Sequence, residues 1–195
     1  MTDIIIATKN SGKAKEFQHI LKPLGYNVHC LLDFSDGEDV EETGQTFIEN
    51  AILKAEAIAK QYGKLTIADD SGLVIDYLNG APGIFSARYA GLEKNDLANI
   101  NKVLNELANV PKDERAARFI CALAIAGPAR ETITVEGTCE GYIADEMIGT
   151  SGFGYDPIFV VKDLDVTMAQ LSPEQKNKIS HRANATKKLE SILNS

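Results

Sequence analysis

The sequence predicts an α/β fold built on a mixed β-sheet, and three observations carry that reading. The chain opens as strand, polar turn and helix. Helical and strand-like apolar patterns then alternate along it. Two long strand-like runs come late, at 117–126 and 132–143. A chain of 195 residues fits one domain, or one domain with two lobes around a central cleft. We read residues 1–195 as a single domain.

Residues 3–8 are mostly isoleucine and read as a buried strand. Residues 12–22 follow as a helix, with Phe17, Ile20 and Leu21 on one face, and Pro23-Leu24-Gly25 ends it. A second helix spans 47–62, its stripe made by Phe47, Ala51, Ile52, Ala55, Ile58 and Ala59. Thr46 and Glu49 form a capping box at its start, and Gly63 stops it. LTIA (65–68) is a strand ending at Asp69-Asp70, a turn follows at Ser71-Gly72, and LVIDYL (73–78) pairs beyond it. NGAPG (79–83) is a turn on composition. A third helix covers 96–108, with Leu97, Ile100, Leu104 and Leu107 facing inward. The runs 117–126 and 132–143 form an antiparallel pair around Gly127-Pro128. Ser172-Pro173-Glu174-Gln175 starts a helix over 173–180, since proline is tolerated in a first turn. The tail, 182–194, is helical and buries Leu189, Ile192 and Leu193.

Composition narrows the function. Apolar content of 44% and charged content of 25% suit a soluble globular protein. No apolar run approaches the ~20 residues that span a bilayer, and the N-terminus lacks signal-peptide features, so a cytoplasmic protein without a membrane partner is expected. Cys30, Cys121 and Cys139 are odd in number and widely spaced, which favours free buried thiols. A net charge of −8 argues against nucleic-acid binding, which rests on neutralising phosphates with lysine and arginine. An acidic protein that binds a polyanion must do so through local donors and a cation.

Five segments carry candidate chemistry. Thr8, Asn10, Ser11, Gly12 and Lys13 offer hydroxyls, an amide, backbone N–H groups and one ammonium at a helix start. That is either an anion site or a capped turn with solvated side chains. It is not a Walker loop. Asp69 and Asp70 present hard oxygens suited to Mg²⁺ with substrate phosphates, or else cap an Asx-type turn. Adjacent strand residues point oppositely, so one can face a cleft while the other braces a loop. Glu38, Asp39, Glu41 and Glu42 form an acidic run that is either a solvated face or brings Glu41 or Glu42 to a shared metal. In GTSGFGYDPIF (149–159), glycines let backbone approach a ligand and Phe153 or Tyr155 can stack on a base; a hairpin with Phe153 in the core is the alternative. Asp156-Pro157 then opens a further strand. Lys176, Lys178, His181 and Arg182 lie at or after the end of the 173–180 helix, as its dipole favours, and the Ser-His-Arg break offers donors for purine carbonyls or phosphates.

Jointly, ATKNSGK, EETGQTFIENAILKA, ADDSGL, GAPGIFSARYAG, SGFGYDPIF and ISHRANA, in this order along nearly the whole chain, resemble the inosine triphosphate pyrophosphatase family. The resemblance implies an elongated α/β fold with two lobes, a homodimer, and Mg²⁺-dependent hydrolysis of ITP, dITP or XTP to the monophosphate and pyrophosphate. It implies that Thr8 to Lys13 bind the triphosphate and that Asp70 is the proton acceptor. It further implies Mg²⁺ on Glu41 and Asp70, and substrate contacts from Ser71, Phe153, Gly154, Tyr155, Asp156, Lys176, His181 and Arg182. One departure is visible: many relatives have glycine where this chain has Lys9. A non-catalytic nucleotide sensor and an enzyme of canonical or methylated nucleotides are the rival readings.

Overall fold

The computed structural model describes residues 2–37 and 40–193, so Glu38 and Asp39 of the acidic run lie outside the described residues. The side chains of Ile192 and Leu193, assigned above to a buried face, also lie outside them. The elements are β1 (Thr2–Ile6), α1 (Ser11–Leu21), β2 (Tyr26–Cys30), α2 (Phe47–Tyr62), β3 (Thr66–Ile75) and α3 (Asp96–Glu106), followed by β4 (Ala116–Ala126), β5 (Ile133–Ile143), β6 (Phe159–Val161), α4 (Pro173–Ile179) and α5 (His181–Leu193). The strands form one sheet in the order β2-β1-β3-β4-β5-β6. β1 runs parallel to β2 and β3, and β5 antiparallel to β6, which makes the sheet mixed as expected.

Three expectations need correction. Ser71-Gly72 is no turn: β3 runs unbroken through the two aspartates to Ile75. LVIDYL is therefore no separate strand; it is the end of β3 followed by a 3-10 turn over Asp76–Leu78. Asp156-Pro157 likewise opens a 3-10 turn, Asp156–Ile158, ahead of β6. A glycine in a strand weakens it without ending it when both faces are covered. Composition also hid β2, whose YNVHC is short and mixes polar with apolar residues.

The chain divides into two compact units. Unit 1 comprises Met1–Asp70, Cys121–Gly137 and Arg182–Ser195; unit 2 comprises Ser71–Ile120 and Thr138–His181. In unit 1 both sheet faces are covered, which explains the uninterrupted apolar run of β1. Ile4 and Ile6, with Ile67, Leu123 and Ile125, pack with Phe17 and Leu21 of α1 and Ala185 and Leu189 of α5. Ile5 and Ala7 point the other way, with Ala68, Ala122 and Ala124, onto Ala51, Ala55 and Ile58 of α2. Each fully buried isoleucine contributes roughly 1.5–3 kcal/mol. The predicted capping box holds α2: Glu49 N–H donates to Thr46 Oγ1 (3.1 Å) and Thr46 N–H to Glu49 Oε2 (3.2 Å). Gly63 ends the helix in the left-handed conformation.

Unit 2 has its own core, in which Ile100, Val103 and Leu107 pack with Leu73, Ile75, Phe119, Ile143 and Phe159. Leu97, expected on that face, is 55% exposed, and Val103 takes the buried position instead. The three cysteines are free and buried. No described helix is long and apolar enough to cross a membrane.

Candidate active site

In unit 1 the opening turn is a capped helix start. Asn10 Oδ1 accepts from the N–H groups of Gly12 (2.9 Å) and Lys13 (3.1 Å), while Asn10 N–H donates to Thr8 Oγ1 (3.1 Å). Ser11 begins α1. Lys9 and Ser11 are exposed, and Lys9 is not among the residues of positive φ, so lysine causes no backbone strain there. Lys13 extends its ammonium to 2.9 Å from Asp69 Oδ2.

Because β3 continues through them, Asp69 and Asp70 project to opposite sheet faces, following Ile67 and Ala68 respectively. Asp69 faces α1 and α5, and Arg182 Nε donates to its Oδ2 (3.2 Å). The other side of that guanidinium donates from Nη1 to Glu16 Oε2 (2.5 Å). Burial opposes the charge on Arg182, but Glu16 and Asp69 outweigh it and raise its pKa. Asp70 faces α2, where Asn50 Nδ2 donates to its Oδ2 (3.1 Å) and Lys54 Nζ lies 3.5 Å from Oδ1. Lys54 also donates to Glu42 Oε1 (2.6 Å) and to the Asp69 carbonyl (2.7 Å).

The charges act on one another. Burial raises the Asp70 pKa; Lys54 opposes that, Glu42 adds to it, and Lys13 and Asn50 oppose it, with a net rise. Burial by itself would lower Lys54, but Asp70, Asp69 and Glu42 together carry it above the ordinary lysine value. Glu42 is thus the member of its pair that reaches this cluster, while Glu41 is exposed. Among the described residues no group of three or more His, Cys, Asp or Glu converges as a metal cage. Carboxylates near two ammonium groups nevertheless form a hard, oxygen-only donor set, which suits Mg²⁺ completed by substrate oxygens rather than a softer metal.

Unit 2 holds the other predicted residues. Lys176 Nζ donates to Asp156 Oδ2 (2.7 Å), both side chains being buried, and lies 4.7 Å from the centre of the Phe153 ring. The same Asp156 oxygen accepts from Phe153 N–H (3.0 Å). A Cβ on Gly152 would stand 2.0 Å from that oxygen, and its φ is +84°, so glycine is required there. Gly154 N–H donates to Asp96 Oδ2 (2.8 Å). Tyr155 is buried and donates its hydroxyl to the Ser86 carbonyl (2.7 Å), which makes it a brace for the loop. His181 is buried and stacks on Phe119 with ring centres 4.8 Å apart. Ser71 is half-buried at the start of this unit's share of β3.

The structure therefore gathers Lys13 and Asp70 in one electrostatic neighbourhood, and Phe153, Asp156 and Lys176 in another. Sequence reasoning missed Glu16, Asn50 and Lys54. Asn50 and Lys54 carried a usable signal: they sit four residues apart among the alanines of a buried helical stripe, where polar groups need a partner. Glu16 had none, for one acid on an amphipathic helix reads as surface.

These features define an α/β protein with a buried acid–base cluster on a mid-sheet strand. Residues 4–192 match the model of the Ham1 family, and the chain belongs to that family. It is 62% identical over 193 residues to the dITP/XTP pyrophosphatase of Bacillus licheniformis, covering 99% of this chain and 98% of the relative. The protein of the same name from Bacillus subtilis is 61% identical with the same coverage. Among solved structures, the Staphylococcus aureus Ham1 protein matches with a TM-score of 0.87 at 53% identity over 98% of each chain. A HAM1 protein from Coxiella burnetii matches with a TM-score of 0.88 at 44% identity, over 100% of this chain and 99% of that one.

Proposed function

We propose that this chain is a nucleoside triphosphate pyrophosphatase that hydrolyses ITP, dITP and XTP to the monophosphate and pyrophosphate, with Mg²⁺, and so cleanses the nucleotide pool. Full-length likeness to dITP/XTP pyrophosphatases supports the substrate class. The observation that carries the chemistry is Asp70, buried and acted on by Lys54, Glu42 and Lys13 together. Asp70 and Glu42, the latter in place of the exposed Glu41, are the carboxylates that would hold Mg²⁺. The bound ion supplies charge neutralisation on the polyphosphate oxygens.

The chain's own groups do the rest. Lys13 and Lys54 hold phosphate oxygens, and the α1 N-terminus with Thr8, Lys9, Asn10, Ser11 and Gly12 favours the same negative charge. Asp70 accepts a proton from the attacking water, a role that a carboxylate within reach of that water can fill. We assign nucleoside contacts to Ser71, Phe153, Gly154, Asp156, Lys176 and His181, with Tyr155 bracing the loop. Arg182, whose Nε and Nη1 are committed to Asp69 and Glu16, serves as a clamp. A cytoplasmic homodimer completes the proposal. Pyrophosphate release from ITP, dITP and XTP with Mg²⁺, abolished by EDTA and restored by added Mg²⁺, is the expected result. Tight nucleotide binding without pyrophosphate release would mean a sensor instead.

A further inference from the structure

Four charged side chains of unit 1 alternate in sign along a continuous path. Glu16 Oε2 accepts from Arg182 Nη1 at 2.5 Å, Arg182 Nε donates to Asp69 Oδ2 at 3.2 Å, and that same oxygen holds Lys13 Nζ at 2.9 Å. The side chains of Asp69 and Arg182 are 1% and 3% exposed, that of Glu16 11%, and Lys13 at 18% is the open end. Three elements meet here: α1 supplies Glu16 and Lys13, β3 supplies Asp69, and α5 supplies Arg182. Formal charge over the four groups sums to zero.

One carboxylate oxygen thus serves two cations, and what keeps it shared is the anion on the far side of the arginine. With Glu16 on Nη1, Arg182 reaches Asp69 through Nε and its charge is already balanced. Without the Glu16 charge, two cations compete for Asp69. A guanidinium cannot shed its proton and takes a carboxylate with a planar fork, whereas an ammonium is a mobile point charge that water solvates well. The buried arginine keeps Asp69, and Lys13, at the solvent edge, is released into many rotamers. We propose that Glu16 is a positioning residue for the phosphate-binding Lys13, acting through Arg182 and Asp69. This rests on the function proposed above.

The test is kinetic, on the full chain with Mg²⁺. Glu16→Gln keeps size and an acceptor while removing the charge. It is expected to raise KM for ITP, dITP and XTP by a common factor of about tenfold, the worth of one charge-assisted contact. The inhibition constant of inorganic tripolyphosphate, which has no base, rises by the same factor, and kcat is nearly unchanged. In a Lys13→Ala background the same substitution adds nothing, because its effect travels through that lysine. A purely structural role would lower thermal stability without this cancellation. Should Glu16→Gln not fold, Glu16→Asp, which keeps the charge on a shorter side chain, is expected to raise both constants by a smaller factor. A folded Glu16→Gln with unchanged constants, a KM change confined to one base, or Glu16→Asp kinetics equal to wild type overturns the inference. Failure of the wild-type chain to hydrolyse ITP overturns the function itself, and this inference with it.

Discussion

In unit 1 the Lys54 ammonium lies 2.6 Å from Glu42, 2.7 Å from the Asp69 carbonyl and 3.5 Å from Asp70, whereas in unit 2 the Lys176 ammonium lies 2.7 Å from Asp156 and over the Phe153 ring. Both lysines are buried, but their counter-charges are distributed differently. Lys54 draws on several oxygens, so losing one acid leaves it satisfied. Asp70 itself is held at a cost, since its net pKa is raised and its charged form is therefore disfavoured by the fold. Asp156, by contrast, holds the lysine and the Phe153 backbone N–H through one oxygen. The first arrangement leaves an acid whose charge the fold disfavours, and the second satisfies its acid and ties it to the Phe153 loop.

Asp70→Asn puts the widest gap between the two units. Loss of a general base costs roughly 10²–10⁴-fold in turnover, and more if metal is lost as well. The same variant should melt no lower than wild type in EDTA. The sign follows from burial, which lifts the folded pKa above the unfolded one. The metal-free fold then binds a proton that the unfolded chain does not, and its stability falls as pH rises from the ordinary carboxylate value through the raised one. Asp70→Asn removes that slope. Melting curves across the acidic range check it, and a variant that is both active and destabilised would erase the contrast.

Asp156→Asn should behave in the opposite sense. Removing one partner of a buried ion pair costs about 3–5 kcal/mol. Urea unfolding should therefore show a large loss of stability, while an unchanged midpoint would place Asp156 among the dispensable charges. A smaller effect sharpens the picture within unit 1. Glu42→Gln should weaken the Mg²⁺ requirement constant by about tenfold or more, as expected for one lost oxygen charge, with Glu41→Gln near wild type. Titrating Mg²⁺ against pyrophosphate release separates them, and the reverse order would return the metal to Glu41.

Much of the fold was legible because periodicity reports burial directly. The α2 stripe, its Thr46–Glu49 box and the Gly63 stop are local events among neighbours in the chain, and the structure shows each of them. β3 was misread because Asp69-Asp70-Ser71-Gly72 has turn composition; only tertiary partners, namely Lys13, Arg182, Asn50 and Lys54, make buried aspartates tolerable in mid-strand. Arg182 is the matching case in the site. Its place after Ser180-His181 offers donors for purine carbonyls or phosphates, and nothing in the spacing shows that its Nε and Nη1 meet Asp69 and Glu16, 113 and 166 residues away in sequence.

The sequence by itself determined the α/β class, most helix positions, the buried free thiols and a family resemblance spread over six segments. All of these rest on local propensity, apolar period or motif order. The tertiary structure alone decided which face each aspartate takes, which glutamate meets Lys54, and that Glu16 stands behind Arg182. Those are matters of charge paired across long stretches of chain, where Coulomb energy depends on distance and burial in space and on nothing that spacing along the chain records.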